Sequence, residues 1–287
     1  MVNQTYKDDP EIAKLLRTPD FRRALSLGID RLQINDAFFL GLGTIGSSAP
    51  ADTMPHNPGA EWRTKWSTHD PKQANALLHK IGLTNKDSEG YRLRLDNGQR
   101  LRIEIQVEQS VVASWLQQAE MIVQQWKQIG VQGEAKFYER GLATLRVRND
   151  QDQMVIRTNS GTENVYLYPR YVLPVEPSAG TMSAAYAQWF ASQGQRGTKP
   201  DDPEMLRAFD LLRSAPGKED AERIKIAQEI WKIVIDQQYA IGTVGQSPAF
   251  MGVRVISEKL GNIPERTCIS QHCRAPGSGR PEQWYFK

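Results

Sequence analysis

Thr18–Ile34, TPDFRRALSLGIDRLQI, is the stretch on which the rest of the chain turns. Pro19 suits a first helical turn, where the N–H it lacks would have no partner, and Thr18 or Asp20 can cap the same turn. Phe21, Ala24, Leu25 and Gly28 recur at helical spacing, so the pattern predicts one helix with a buried stripe. The residues on either side also read as helical, up to the stop at Gly41-Leu42-Gly43.

Downstream the pattern changes period. Residues 44–70 read as a loop, punctuated by Gly46, Pro50, Pro55 and Pro58. Asp70-Pro71 opens a helix with Ala74, Leu77, Leu78 and Ile81 on one face and Gly82 as its stop. Leu101, Ile103, Ile105 and Val107 alternate with Arg102, Glu104 and Gln106, the period of a strand. Trp115, Ala119, Ile122, Trp126 and Ile129 follow at helical spacing, and Gly130 ends that helix. A strand over 131–138, a helix near 140–148 and a strand over 154–158 complete β-α-β-α-β, the order of a largely parallel sheet. Residues 159–204 read as irregular, interrupted by one short helix, AAYAQWFASQG. Helices near 204–213 and 219–236 come next, the second with Ile226, Ile230, Ile233 and Val234 as its stripe. Strands are expected at 241–244 and 250–256.

Composition bounds the function. Of 287 residues, 39% are hydrophobic and 24% charged, which is ordinary globular composition. A net charge of +3 without a basic run gives no footprint for nucleic acid. No apolar stretch approaches the roughly 18 residues that span a bilayer, and the N-terminus lacks a signal-peptide pattern. Cys268 and Cys273, in TCISQHCR, read either as a local disulfide or as two thiols. His272 between them has no fourth ligand at zinc spacing.

F-R-x-A-L-S-x-x-I-D-R, within Phe21–Arg31, resembles the helix that opens the second lobe of family 5 solute-binding proteins. These are the extracytoplasmic receptors of peptide, nickel and oligosaccharide ABC importers. HDPKQANALLHKIGL (69–83), the Trp115–Val131 block, YAQWFASQG (186–194), ERIKIAQEIWKI (222–233), the stretch 241–265 and EQWYFK (282–287) resemble later segments of the same family, in the same order. The resemblance implies an α/β lobe of a type II periplasmic-binding-protein-like fold, a mixed sheet flanked by helices. Residues 1–256 are then expected to form the second lobe, and 257–287 a tail that returns toward a first lobe. Members of that family are much longer, so a C-terminal fragment is expected. The start at Met1-Val2 and the missing signal pattern fit that expectation.

The resemblance also implies where a ligand sits. In peptide-binding members an aspartate just after the strand equivalent to 154–158 anchors the ligand's α-amine. Here the segment is RTNSGTENVYLYPR (157–170). Gly161 falls near the aspartate's place, and only Glu163 could substitute. Asn159, Ser160 and Asn164 offer neutral donors and acceptors where α/β sheets commonly bind ligands, and they equally suit a turn cap. Trp189 reads as an aromatic platform or as a core residue. Arg170 reads as a partner for a ligand carboxylate or as half of an ordinary ion pair. Glu104 and Glu108 read as a solvent-facing side of their strand.

No nucleophile elbow, zincin helix, P-loop or dinucleotide fingerprint is present, so no catalytic residue, metal ligand or cofactor is expected. The function expected is capture of a peptide, oligosaccharide or sugar conjugate for a membrane ABC permease, with a sugar preferred over a free peptide. The protein is expected to be a monomer, in the periplasm or on the cell surface as a lipoprotein. A sensor module of the same fold and a carbohydrate-active enzyme are the alternatives.

Overall fold

The computed structural model describes residues 1–109, 114–159, 162, 164–179, 182–246, 257–263 and 281–287. At its centre lie three parallel strands in the order β3-β2-β4: β2 (Arg102–Glu108), β3 (Gln132–Tyr138) and β4 (Met154–Val155). Arg102 pairs with Gln132 and Ile105 with Met154. The β4 ladder runs one residue further through Ile156 N–H to the Gln106 carbonyl at 3.1 Å. Between β2 and β3 runs α6 (Trp115–Gln125), which tightens to a 3-10 turn at Trp126–Ile129; α7 (Arg140–Arg148) joins β3 to β4. The first crossover runs from β2 to β3 and the second returns from β3 past β2 to β4, so the two run in opposite directions across the sheet. With the usual right-handed connection the two helices therefore cover opposite faces of the sheet.

That arrangement decides what each face of β2 meets. Leu101, Ile103, Ile105 and Val107 are buried in the main core with Phe21, Leu25, Trp126 and Ile129. The other face is not wet. Gln106 is fully buried, donating to the Ala143 carbonyl at 3.0 Å and accepting from Arg146 Nε at 2.9 Å. Glu104 is held by Lys136 at 2.8 Å and Arg146 at 3.0 Å, and Glu108 is buried against Arg157. The expectation of a solvent-facing glutamate side is corrected: α7 covers it, and long-range cations neutralise it.

The opening stretch also folds differently from its reading. It is two helices, α2 (Pro19–Leu27) and α3 (Arg31–Phe39), preceded by α1 (Pro10–Arg17). Gly28 caps α2, and Asp30 starts α3 by accepting the Gln33 N–H at 3.1 Å. Gly28 lies against Ile129, where a Cβ would come within 2.9 Å of Cδ1, so the small residue allows the close crossing on α6. Trp126 seals the contact by donating Nε1–H to the Leu25 carbonyl at 2.9 Å. The next helices are α4 (Glu61–Thr64) and α5 (Pro71–Lys80), and Asp70 caps α5 through the Gln73 N–H at 2.8 Å.

A second core lies under α9 (Pro203–Ser214) and α10 (Asp220–Gln237), where Phe209, Ile230, Trp231 and Val234 bury Val165, Val172 and Leu173. Arg23 and Asp236, 2.7 Å apart, tie α2 to α10. The helix expected in 184–194 is α8 (Ala184–Ala191). A two-residue ribbon pairs β1 (Thr44–Ile45) with β5 (Val244–Gly245), and a second pairs β6 (Leu260–Gly261) with β7 (Tyr285–Phe286). Tyr285 covers Gly261, while Phe286 is exposed. The strand expected at 250–256 and both cysteines lie outside the described residues.

Candidate functional site

Ligands of parallel sheets bind beyond the carboxyl ends of the strands. Here that edge carries the end of β2, at Glu108 and Gln109, and the segment that leaves β4, from Ile156 to Asn159. Gln109 N–H bonds the Tyr138 carbonyl at 3.0 Å, which fixes the β2 end against β3. Arg157 reaches across to Glu108 and pairs with its Oε1. The other carboxylate oxygen, Oε2, is buried and has no hydrogen-bond partner among the described residues. A buried carboxylate oxygen is costly to leave unpaired, so this one is an acceptor ready for a donor.

The third wall comes from a loop that sequence periodicity cannot read. Ser47 Oγ–H donates to the Trp62 carbonyl at 2.7 Å, and Arg63 donates to the Ala49 carbonyl at 2.8 Å. The chain at Gly242 lies directly on this loop: a Cβ there would stand 2.2 Å from the Ser47 carbonyl carbon. Only glycine permits that approach. Held in this way, the Ser48 carbonyl accepts from Asn159 Nδ2 at 3.4 Å. Ser48 Oγ is buried without a partner among the described residues. Two contacts, Glu108–Arg157 and Asn159–Ser48, thus stand on the segment 157–159, with one acceptor and one hydroxyl unpartnered among the described residues. The arrangement can hold a ligand rich in hydroxyl or N–H groups. Among its described residues no nucleophile is hydrogen-bonded to a base. Among the described residues no three His, Cys, Asp or Glu side chains come together to hold a metal, and no helix is long and apolar enough to cross a membrane.

The residues singled out from sequence fall in several places. Asn159 is exposed and stands at this edge, its carbonyl accepting Thr162 Oγ1–H at 2.7 Å. Asn164 caps the next turn, Oδ1 accepting the Tyr166 N–H at 3.1 Å. Arg170 pairs with Glu176 at 3.1 Å and lies over the rings of Tyr168 and Tyr171. Trp189 is half-buried on α8, stacked on Phe209 at 6.2 Å against the second core. Ser160 and Glu163 lie outside the described residues. Sequence reasoning missed Glu108, Arg157 and Ser48. The strand-end rule that selected Asn159 applies equally to Glu108 and Arg157; Ser48 carries no sequence signal.

The profile of the family described as bacterial extracellular solute-binding proteins, family 5 Middle, matches residues 1–176. Solved structures share the fold. An oligopeptide-binding protein, OppA, is 24% identical with a TM-score of 0.79, over 100% of this chain and 46% of that one. The periplasmic binding protein MelB from Agrobacterium fabrum C58, in complex with stachyose, is 19% identical with a TM-score of 0.68, over 85% of this chain and 37% of that one. NikA from Brucella suis, in complex with Fe(III)-EDTA, is 16% identical with a TM-score of 0.64, over 100% and 50%. The chain therefore spans half or less of the length of these structures. No curated protein is matched.

Proposed function

The chain belongs to the bacterial extracellular solute-binding proteins of family 5, and on that premise we propose that it captures a solute outside the cytoplasm for an ABC permease. It does so at the carboxyl edge of β3-β2-β4, supplying one wall of a cleft. The length of its structural relatives supports a second wall contributed by sequence beyond this chain. Residues 1–256 are the lobe in this reading, and 257–287 the segment that turns toward the other half. Ligand contacts to both walls would drive closure as a hinge.

The observation that carries the proposal is the pair of buried, unpartnered groups, Glu108 Oε2 and Ser48 Oγ, on residues that Arg157 and Asn159 contact. A carboxylate oxygen and a hydroxyl suit sugar hydroxyls, and we take an oligosaccharide or sugar conjugate as the preferred ligand over a free peptide. Ser160, Glu163 and Asn164 belong to the same segment and are proposed as further contacts. Arg170 and Trp189 are retained as outer contacts of a longer ligand. Stachyose, the ligand in the MelB structure, is the natural first probe.

Calorimetric titration with stachyose and with an unmodified pentapeptide tests this. The sugar is expected to bind, weakly to this chain alone because a cleft ligand is buried only between two walls. Asn159→Ala and Ser48→Ala are expected to weaken binding about tenfold each, the usual scale of one hydrogen bond. Tighter binding of the pentapeptide would reverse the ligand preference, and unchanged affinity in both variants would remove the site.

A further inference from the structure

The amino edge of the same sheet carries a cavity of about 670 Å3 that the solute-binding reading does not use. Its place follows from the topology. The end of α7 leads directly into β4, so Arg148, Asn149 and Asp150 stand at the amino end of that strand. The N-terminal segment runs antiparallel to β4 through the Val2–Met154 bridge and delivers Gln4, Thr5 and Lys7 to the same end. The start of α8 and the turn 197–201 close the other side.

The walls are fixed. Gln4 N–H bonds Ser183 Oγ at 2.9 Å, and Thr198 N–H bonds the Ala185 carbonyl at 3.0 Å. Gly197, at φ +83, packs so tightly on α8 that a Cβ would stand 2.3 Å from the Ala185 carbonyl oxygen. The charges around the cavity are unbalanced: Lys7, Arg17, Arg148 and Lys199 face only Asp150 and Asp201. Both carboxylates are already engaged. Asp150 accepts the N–H groups of Ala184 at 2.8 Å and Ala185 at 3.1 Å together with the Thr5 hydroxyl. Asp201 accepts Tyr186 Oη–H at 3.2 Å and lies 3.8 Å from Arg17. Lys199 makes no hydrogen bond or ion pair among the described residues, and Lys7 makes no hydrogen bond or close ion pair there, although its charge acts on Asp150. Gln4, 1% exposed, lines the cavity and leaves its Nε2 without an acceptor.

We infer that this cavity is a second binding site, for a small oxyanion of phosphate or dicarboxylate type, held by Lys7 and Lys199 together with Arg17 and Arg148. Unpaired ammonium groups in a polar recess with too few carboxylates lower the cost of bringing in a negative charge. An oxyanion reaching the floor would also supply the acceptor that Gln4 lacks.

Isothermal titration of the chain at low ionic strength, with inorganic phosphate in one arm and succinate in the other, tests the inference. Saturable binding of at least one anion is expected, weakening with added salt. The Lys7→Gln/Lys199→Gln double variant is expected to bind about tenfold more weakly or worse, as two nearby ammonium charges are lost. Both lysines are exposed, so the variant keeps the fold. Saturation by phosphate alone or by succinate alone supports the site and identifies its anion. Absence of saturable binding in both arms overturns it, and so does unchanged affinity in the double variant. The solute site at the opposite edge is untouched by either outcome.

Discussion

Each of the two cores is centred on one fully buried tryptophan, and the two are held differently. Trp126 sits among the residues of the parallel sheet and donates its indole N–H to the Leu25 carbonyl at 2.9 Å. Trp231 sits between α9 and α10, and its indole N–H has no partner among the described residues. The tryptophan of the sheet core is thus pinned by a directional bond between segments a hundred residues apart, whereas the tryptophan of the helical core is held by contact area. The directional bonds there are made by other residues such as Tyr239, whose Oη–H donates to Asp202 at 2.7 Å. The sheet core also positions the candidate ligand edge, where a shift of an ångström would misplace Glu108 relative to Asn159.

The comparison is broken most severely by truncation. Trp126→Ala and Trp231→Ala should each cost roughly 3–5 kcal/mol in denaturant unfolding. The sharper test is replacement by phenylalanine. Trp126→Phe strands the Leu25 carbonyl, whereas Trp231→Phe removes an N–H that was already unpaired. The first should therefore be the more destabilising by about 1–3 kcal/mol. Equal costs would mean that the two cores are held alike.

Glycines give the next effect. In Gly133→Ala a Cβ would stand 2.4 Å from Val123 Cβ, jamming α6 against β3, at a cost of roughly 1–3 kcal/mol. Gly217, between α9 and α10, has φ +79 and open space around it, so Gly217→Ala carries only left-handed backbone strain of about 1–2 kcal/mol. Circular dichroism should show retained helicity in both variants, and calorimetric titration should show loss of ligand binding in the first variant alone.

A buried carboxylate at the start of β4 adds a pH effect. Burial pushes Asp152 up from 3.8 to about 6, with Asp150 adding in the same direction. Its folded value lies above its unfolded one. Its contribution to stability is therefore fully present below about pH 4 and is lost as pH rises through about 6. Asp152→Asn should lack that decline, so its stability relative to the parent should rise between pH 4 and pH 6 in urea titrations. A flat difference across that window would refute the assignment. The smallest effect belongs to Arg170→Ala. Its pair with Glu176 is partly exposed, so stability should change by no more than about 1 kcal/mol. A loss of ligand affinity in the same variant would place Arg170 at the ligand.

Most of the sheet core was legible in the sequence, because helix and strand periods are local. The alternation at 101–107, the stripe from Trp115 to Ile129 and the stop at Gly130 (φ +75) all appear where the pattern puts them. The break at Gly28–Asp30 was hidden because Phe21 to Gly28 already satisfies a helical face, while the reason to stop lies on α6. Glu104 and Glu108 misled for a related reason. Polar alternation looks the same whether the face meets water or buried arginines, and their partners Arg146 and Arg157 are 42 and 49 residues away in sequence. Ser48 lies in a loop with no period, and what makes it notable is its neighbour Asn159, 111 positions on.

The central claim is that the carboxyl edge of β3-β2-β4 binds the solute. Amide chemical shifts of the isotope-labelled chain, followed during titration with stachyose and with a pentapeptide at millimolar concentration, test it most directly, since even weak binding moves resonances. The expected result is saturable perturbation at Ser48, Glu108, Arg157 and Asn159 with the sugar, and no change at Lys7 or Lys199 on the opposite edge. Perturbation centred on any other surface, or none with either ligand, would contradict the account.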